Sequence, residues 1–229
     1  MSVCEKCKGT TWIFYTDDQG YEIAKECECR ERAIALNLLA SSGISEEDSK
    51  KGFNGFETFN EPALINAKNT AVTYFQNFES IEKERINSML LCGSSGRGKT
   101  TLGLAIANNL INVGVGVRYM PYRDVVTALK QQIGSDNKYI YNDHIYKLKN
   151  ARVLFIDDLL KGKVTDSDVN ILYEIINYRY LQRKPFIIST EKTIEQLLEF
   201  DEAIGSRLIE MSKGYIVTFD NSIPNYRLR

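Results

Sequence analysis

The clearest chemical signal in this sequence is a glycine-rich stretch from Gly93 to Thr100. It matches the pattern G-x-x-x-x-G-K-[ST] at every fixed position. In such a loop the glycines let backbone N–H groups approach phosphate oxygens, Lys99 reaches the β- and γ-phosphates, and Thr100 contacts Mg²⁺. The apolar run 89–92 predicts a buried strand, and 101–110 predicts a helix whose N-terminus favours an anion. We therefore predict a nucleotide site formed by Gly93, Ser95, Gly96, Arg97, Gly98, Lys99, Thr100 and Thr101.

Two carboxylates follow a second apolar run, at residues 153–156. Asp157 is predicted to hold Mg²⁺ through its water shell, together with Thr100. Asp158 is predicted to orient or deprotonate the attacking water. The alternative is a strand that simply runs into an acidic turn, but the position behind a phosphate loop favours the metal site.

Two further polar positions leave alternatives open. Ser189-Thr190-Glu191 ends a predicted strand, and its side chains lie either beside the γ-phosphate or at the N-cap of the next helix. We include Thr190 among the nucleotide-binding residues. Arg207 is either an arginine finger that stabilises transition-state charge in a neighbouring subunit or a solvated surface residue. Spacing alone favours the surface position.

Four of the five cysteines lie within the first thirty residues. The pairs Cys4/Cys7 and Cys27/Cys29 flank a predicted β-hairpin, which brings four sulfurs to its base. Four thiolates suit tetrahedral Zn²⁺ and leave no open position for catalysis, so we expect a structural site. Unligated thiols near a terminus are the alternative, and the shorter second spacing is unusual for zinc.

The composition limits the class of protein. An apolar share of 43% and a charged share of 26% are typical of a soluble globular protein. The net charge of −1 gives no overall attraction to nucleic acid, so any DNA contact must come from a local basic patch. No apolar run approaches a membrane span, and the N-terminus lacks the apolar core of a signal peptide. We expect a cytoplasmic protein without a membrane partner.

The remaining pattern alternates helix and strand and predicts an α/β fold with a parallel sheet covered on both faces. We expect five strands in this sheet, near 89–92, 115–120, 152–156, 186–188 and 215–219. The predicted organisation is a zinc-binding module with a helix at 31–40 in residues 1–45, a linker at 46–60, and an ATPase domain at 61–229.

Taken together, the phosphate loop, Asp157-Asp158, Ser189-Thr190 and Gly205-Ser206-Arg207-Leu208 resemble the site of an AAA+ ATPase. Over roughly residues 52–229 the chain is similar to the DnaC/DnaI helicase-loader family, which includes the IstB transposition helpers. Its second carboxylate is Asp where most AAA+ proteins carry Glu, and Asn225-Tyr226-Arg227 is similar to the Tyr-Arg ending of that group. The sequence ends soon after the last predicted strand, so no helical lid is expected. The zinc module resembles that of phage-type loaders.

The resemblance implies catalytic roles for Lys99, Asp157, Asp158 and Arg207, the last acting on a neighbour's ATP. Glu191 stands where many relatives carry the Asn that senses the γ-phosphate, so hydrolysis is expected to be slow and assembly-dependent. The implied function is ATP-dependent loading of a hexameric replicative helicase onto single-stranded DNA, with self-association through the ATP site. An IstB-type transposition helper and a non-hydrolysing ATP-binding adaptor are the alternatives.

Overall fold

A five-stranded parallel sheet forms the centre of the larger part of the chain, with strand order β4-β5-β6-β3-β7. The computed structural model describes residues 4–27, 29–30, 33–34, 52–133, 138–223 and 225–226. The phosphate loop follows β3, which lies between two strands, so its backbone is paired on both sides. The strands of this sheet are β3 (Met89–Gly93), β4 (Val117–Pro121), β5 (Val153–Leu159), β6 (Phe186–Thr190) and β7 (Ile216–Phe219).

Helices cover both faces of the sheet, as apolar strands require. They are α1 (Pro62–Ile81), α2 (Lys99–Asn112), α3 (Tyr122–Ile133), α4 (Lys138–Asn150), α5 (Asp166–Leu181), α6 (Ile194–Phe200) and α7 (Glu202–Met211). One core cluster packs α1 and α2 against one face of the sheet. A second core cluster packs the five helices from α3 through α7 against the other face. The predicted α/β fold with a five-stranded parallel sheet is confirmed. Within the described ranges, no helix has both the length and the apolar character needed to cross a bilayer.

The element boundaries differ from the sequence prediction where strands meet the site. Strand β5 does not stop at Ile156 but continues through both carboxylates to Leu159, with an irregular register against β6 at that point. The predicted helix at 31–40 falls mostly outside the described residues. Part of the predicted linker is packed, because Phe56 is 1% exposed and belongs to the α1–α2 core cluster.

The N-terminal residues form a separate antiparallel hairpin of β1 (Trp12–Thr16) and β2 (Glu22–Glu26). Its turn is held by Asp17, whose carboxylate accepts hydrogen bonds from the N–H groups of Gln19 and Tyr21, both at 2.9 Å. Every residue of β2 is exposed, so the hairpin has little apolar core of its own. Such a small unit depends on another source of stability, such as a metal.

Candidate nucleotide and metal sites

The phosphate loop leaves β3 by a turn that only glycine allows. Gly93 has φ 111°, and a Cβ there would lie 2.2 Å from the carbonyl oxygen of Phe219. At the other end of the loop Gly98, with φ 95°, is the N-cap of α2. The loop N–H groups and the start of the helix thus have the arrangement that suits an anion, and binding at this loop stays a prediction from the sequence.

Lys99 occupies the floor of this loop. Its ammonium donates to the carbonyl oxygens of Gly93 at 2.7 Å and Ser94 at 2.6 Å, and the side chain is buried. Burial lowers the pKa of Lys99, while the nearby carboxylates of Glu191 and Asp158 work in the opposite direction. The hydrogen-bond partners of the Lys99 ammonium are neutral carbonyl groups, and a bound triphosphate would place negative charge directly beside it.

Asp157 is the centre of a buried hydrogen-bond network. Its Oδ1 accepts from the hydroxyls of Thr100 at 2.9 Å and of Ser189, and its Oδ2 accepts from Tyr119 at 2.7 Å. Burial raises the pKa of Asp157, whereas these hydroxyl donors lower it. The carboxylate and the Thr100 hydroxyl are hard oxygen ligands side by side, which fits Mg²⁺ held by both residues, directly or through water.

Asp158 follows Asp157 directly, and in a regular strand the two side chains would point to opposite faces. The irregularity in β5 changes this, because Asp158 adopts φ 55° and its N–H donates to the Ser189 hydroxyl at 2.8 Å. A left-handed backbone at a non-glycine residue is strained, and Ser189 helps to hold it. The turned side chain then lines the cavity formed by the phosphate loop.

Lys161 is a residue beside the cavity carboxylates that no sequence motif indicated. Its ammonium lies 2.7 Å from the Asp158 carboxylate and 3.4 Å from that of Glu191. The bond to Asp158 raises the pKa of Lys161. Burial opposes ionisation of Glu191, but a hydrogen bond with Ser95 and the charge of Lys161 hold its pKa below the ordinary value. The repulsion expected between Glu191 and a phosphate is therefore partly neutralised.

One cavity collects most of the predicted nucleotide-binding residues. Its lining contains Ser95, Gly96, Arg97, Gly98, Lys99, Thr100, Thr101, Asp158, Lys161, Glu191 and Tyr226. Gly93 and Asp157 lie behind this lining and bond to Lys99 and Thr100. Within the part of the chain that the structure describes, the buried Arg97 Nε has no hydrogen-bond partner.

The structure does not bring Thr190 into this cavity. Its side chain is fully buried, and its hydroxyl donates to the carbonyl oxygen of Leu159 at 2.8 Å. This hydrogen bond joins β6 to the end of the irregular segment of β5, so Thr190 stabilises the backbone that positions the carboxylates. The N-cap of α6 is Thr193, whose hydroxyl accepts from the N–H of Gln196.

Arg207 also lies outside the cavity of its own chain. It is half-buried on α7, where its guanidinium packs over the rings of Tyr173 and Tyr180 at 5.5 and 5.3 Å and donates to the Ala203 carbonyl. Its Nε is buried and lacks a hydrogen-bond partner among the described residues. The two tyrosines hold the guanidinium in one place, and no sequence motif indicated them.

The four N-terminal cysteines converge at the base of the hairpin. Their sulfur atoms all lie within 4.8 Å of one another, with Cys4 and Cys27 separated by 3.8 Å and Cys7 and Cys29 by 3.3 Å. A tetrahedral zinc with bonds of about 2.3 Å needs sulfurs about 3.8 Å apart. The donor set therefore fits Zn²⁺, and four thiolates would complete its shell without an open position.

Comparison with known proteins agrees with this geometry. The family described as "IstB-like ATP binding protein" matches residues 51–210. YqaM of Bacillus subtilis (strain 168) is 42% identical over 90% of this chain and 67% of its own length. The phage-like element PBSX protein XkdC of the same strain is 36% identical, covering 93% and 81%. The replicative helicase loader DnaC of Escherichia coli (strain K12) is 24% identical, covering 88% and 79%.

Solved structures show the same fold. A DnaI crystal structure aligns with a TM-score of 0.62 and 20% identity over 78% of this chain and 94% of its own. A crystal structure of the DnaC helicase loader aligns with a TM-score of 0.58 and 20% identity, over 76% and 99%. The assembled phosphate loop and carboxylates account for the ATP-binding character that the family match indicates. The chain belongs to the family of IstB-like ATP-binding proteins with an AAA+ fold, which includes relatives of the DnaC helicase loader.

Proposed function

We propose that this protein is a cytoplasmic ATPase that loads a hexameric replicative helicase onto single-stranded DNA. The observation that carries the proposal is the arrangement of its ATP machinery. Lys99, Thr100 and Asp158 line one cavity and Asp157 bonds to Thr100 behind it, whereas Arg207 lies outside that cavity. Because Arg207 does not line the cavity of its own chain, a finger at this position would act on a neighbour's ATP, and hydrolysis would depend on assembly. The similarity to the DnaC loader favours a helicase as the partner.

The arginine-finger role can be tested by mixing two inactive variants. Arg207→Ala keeps the phosphate loop but lacks the finger, and Lys99→Ala keeps the finger but lacks the phosphate-binding lysine. We expect each variant alone to lose ATPase activity and the mixture to regain part of it, because some neighbours then form one intact site. Arg207→Ala should still bind ATP like the wild type. A mixture no more active than its components would contradict action in a neighbouring subunit.

The cysteine hairpin (residues 4–27 together with Cys29) is proposed as the part that contacts the helicase. It presents exposed apolar side chains, with Phe14 at 66% and Tyr21 at 67% exposure, and the metal site would fix their positions. An apolar surface of this kind is typical of a protein-binding site. The ATPase domain would then change its affinity for the partner or for DNA as ATP is bound and hydrolysed. We propose the domain boundaries expected from the sequence, except that Phe56 of the predicted linker packs on the ATPase core.

Co-purification with the hexameric helicase of the same genome tests this partner. The wild type should form a stable complex, and the double variant Cys4→Ser/Cys7→Ser should not. Cys92→Ala is the matched control, because Cys92 is buried in β3, far in sequence from the hairpin. No complex with the helicase, or full binding by the double variant, would contradict the proposal.

A second candidate is an IstB-type transposition helper, which the family match itself favours. Such a protein would bind a transposase instead of a helicase. The same co-purification with a transposase as bait separates the two functions. Selective capture of the transposase would favour this second candidate.

A further inference from the structure

The segment that follows β7 returns along the phosphate loop. Ser94 donates from its N–H to the Phe219 carbonyl at 2.7 Å and from its hydroxyl to Asn221 at 2.8 Å. Farther along, the N–H of Tyr226 donates to the Gly96 carbonyl at 2.7 Å. The described residues 220–223 and 225–226, here called the tail, are thus bonded directly to the loop that receives the phosphates.

The glycines of the loop make room for this tail. A Cβ on Gly96 would lie 2.9 Å from the Asn225 side chain, and a Cβ on Gly98 would lie 3.0 Å from the Tyr226 ring. Both glycines also have positive φ angles, so two independent requirements exclude larger residues. The tail and the phosphate loop are therefore matched in shape.

The ring of Tyr226 is held in place from several sides. It stacks on Phe56 with centroids 5.4 Å apart and meets Phe59 edge-on at 5.3 Å. Its hydroxyl accepts a hydrogen bond from the N–H of Glu57 at 2.8 Å. A ring fixed before a ligand arrives loses little conformational freedom when the ligand binds.

Tyr226 is also part of the cavity lining, and its ring lies beside Gly98. Among the described residues that line the cavity, Tyr226 is the only aromatic one. The charged lining residues suit phosphates and Mg²⁺, whereas a flat apolar ring suits a nucleoside. We propose that Tyr226 is a nucleotide-binding residue that packs against the nucleoside part of ATP while the loop holds the phosphates. This inference rests on ATP binding and does not depend on helicase loading.

The test compares ATP with inorganic tripolyphosphate, which carries the phosphates and lacks the nucleoside. Affinities are measured by isothermal titration calorimetry with Mg²⁺ on the full chain. Tyr226→Ala should weaken ATP binding by about 5- to 150-fold, the range expected for losing one aromatic contact with a base. Tripolyphosphate binding should be unchanged. Tyr226→Phe keeps the ring and should bind ATP nearly as the wild type does.

Tyr146→Ala is the control, because Tyr146 is an exposed tyrosine on α4. Equal losses for ATP and tripolyphosphate in Tyr226→Ala would mean that the residue only supports the loop, and this would overturn the inference. Unchanged ATP binding in Tyr226→Ala would overturn it as well. The assay contains no helicase and no DNA, so failure of the loader proposal would leave the expected affinities as stated.

Discussion

Tyr119→Phe tests whether hydroxyl donors hold the buried carboxylate of Asp157, the proposed Mg²⁺ ligand. Tyr119 is 6% exposed, and its ring packs edge-on against Phe155 at 5.1 Å, a contact that phenylalanine keeps. Burial and the neighbouring Asp157 raise the pKa of Tyr119, so its hydroxyl stays protonated and donates. The substitution removes one 2.7 Å hydrogen bond from a carboxylate that remains buried.

The expected cost follows from that geometry. A hydrogen bond to a charged group contributes about 1.5–3 kcal/mol, and its loss leaves Asp157 short of a partner. For a protein of this size, each kcal/mol shifts the melting temperature by about 2–4 °C, so the variant should melt about 3–12 °C lower. The assay is thermal unfolding without nucleotide, followed by circular dichroism. The affinity for ATP should also fall more in Mg²⁺ than in EDTA.

The control is Tyr146→Phe, which makes the same change in atoms at a tyrosine that is 66% exposed. This control should melt within about 2 °C of the wild type, since surface substitutions stay within about 0.5 kcal/mol. If Tyr119→Phe melted like the wild type, the hydrogen-bond network around Asp157 would not have the strength assigned to it.

Further predictions concern metal, charge and pH. A mercurial thiol reagent should release one zinc per chain in a colorimetric assay, and none from a variant that lacks two of the N-terminal cysteines. Lys161→Met leaves the Asp158 carboxylate without its cation and should weaken ATP binding about tenfold by calorimetry, whereas Lys163→Met should not. The hydrogen bonds from Arg152 lower the pKa of Glu82, so their stabilisation exists above the unfolded pKa of about 4.3 and is lost as the pH falls through the folded value. Arg152→Ala should therefore lower the free energy of unfolding by up to about 1 kcal/mol at neutral pH, and a urea titration should show no difference in strong acid.

The sequence predicted those parts of the site that are contiguous in the chain. The phosphate loop and the carboxylate pair each form a short motif whose spacing follows from the chemistry, and the structure places them around one cavity. The sheet was predictable because its strands are continuous apolar runs. The cysteine cluster was predictable because its pairs flank a hairpin.

The supporting residues were not predictable from local patterns. Tyr119 reaches Asp157 because β4 and β5 pair in one particular register, with Tyr119 opposite Phe155. Lys161 reaches its carboxylates because β5 departs from regular geometry, and a strand periodicity contains no sign of that. Tyr226 lies at the loop only because the tail returns along it. Thr190 was assigned to the nucleotide from its position at a strand end, but its hydroxyl bonds to Leu159 instead.

ATP bound at the phosphate loop is proposed to drive helicase loading. The most direct test measures how much of the hexameric helicase of the same genome is retained on circular single-stranded DNA. A circle has no free end, so a helicase hexamer can encircle it only if the hexamer opens. With the wild-type protein and ATP, we expect helicase to be retained on the circles after a high-salt wash, and with Lys99→Ala we expect no more than helicase alone. Equal retention with both proteins, or no retention with the wild type, would contradict the claim.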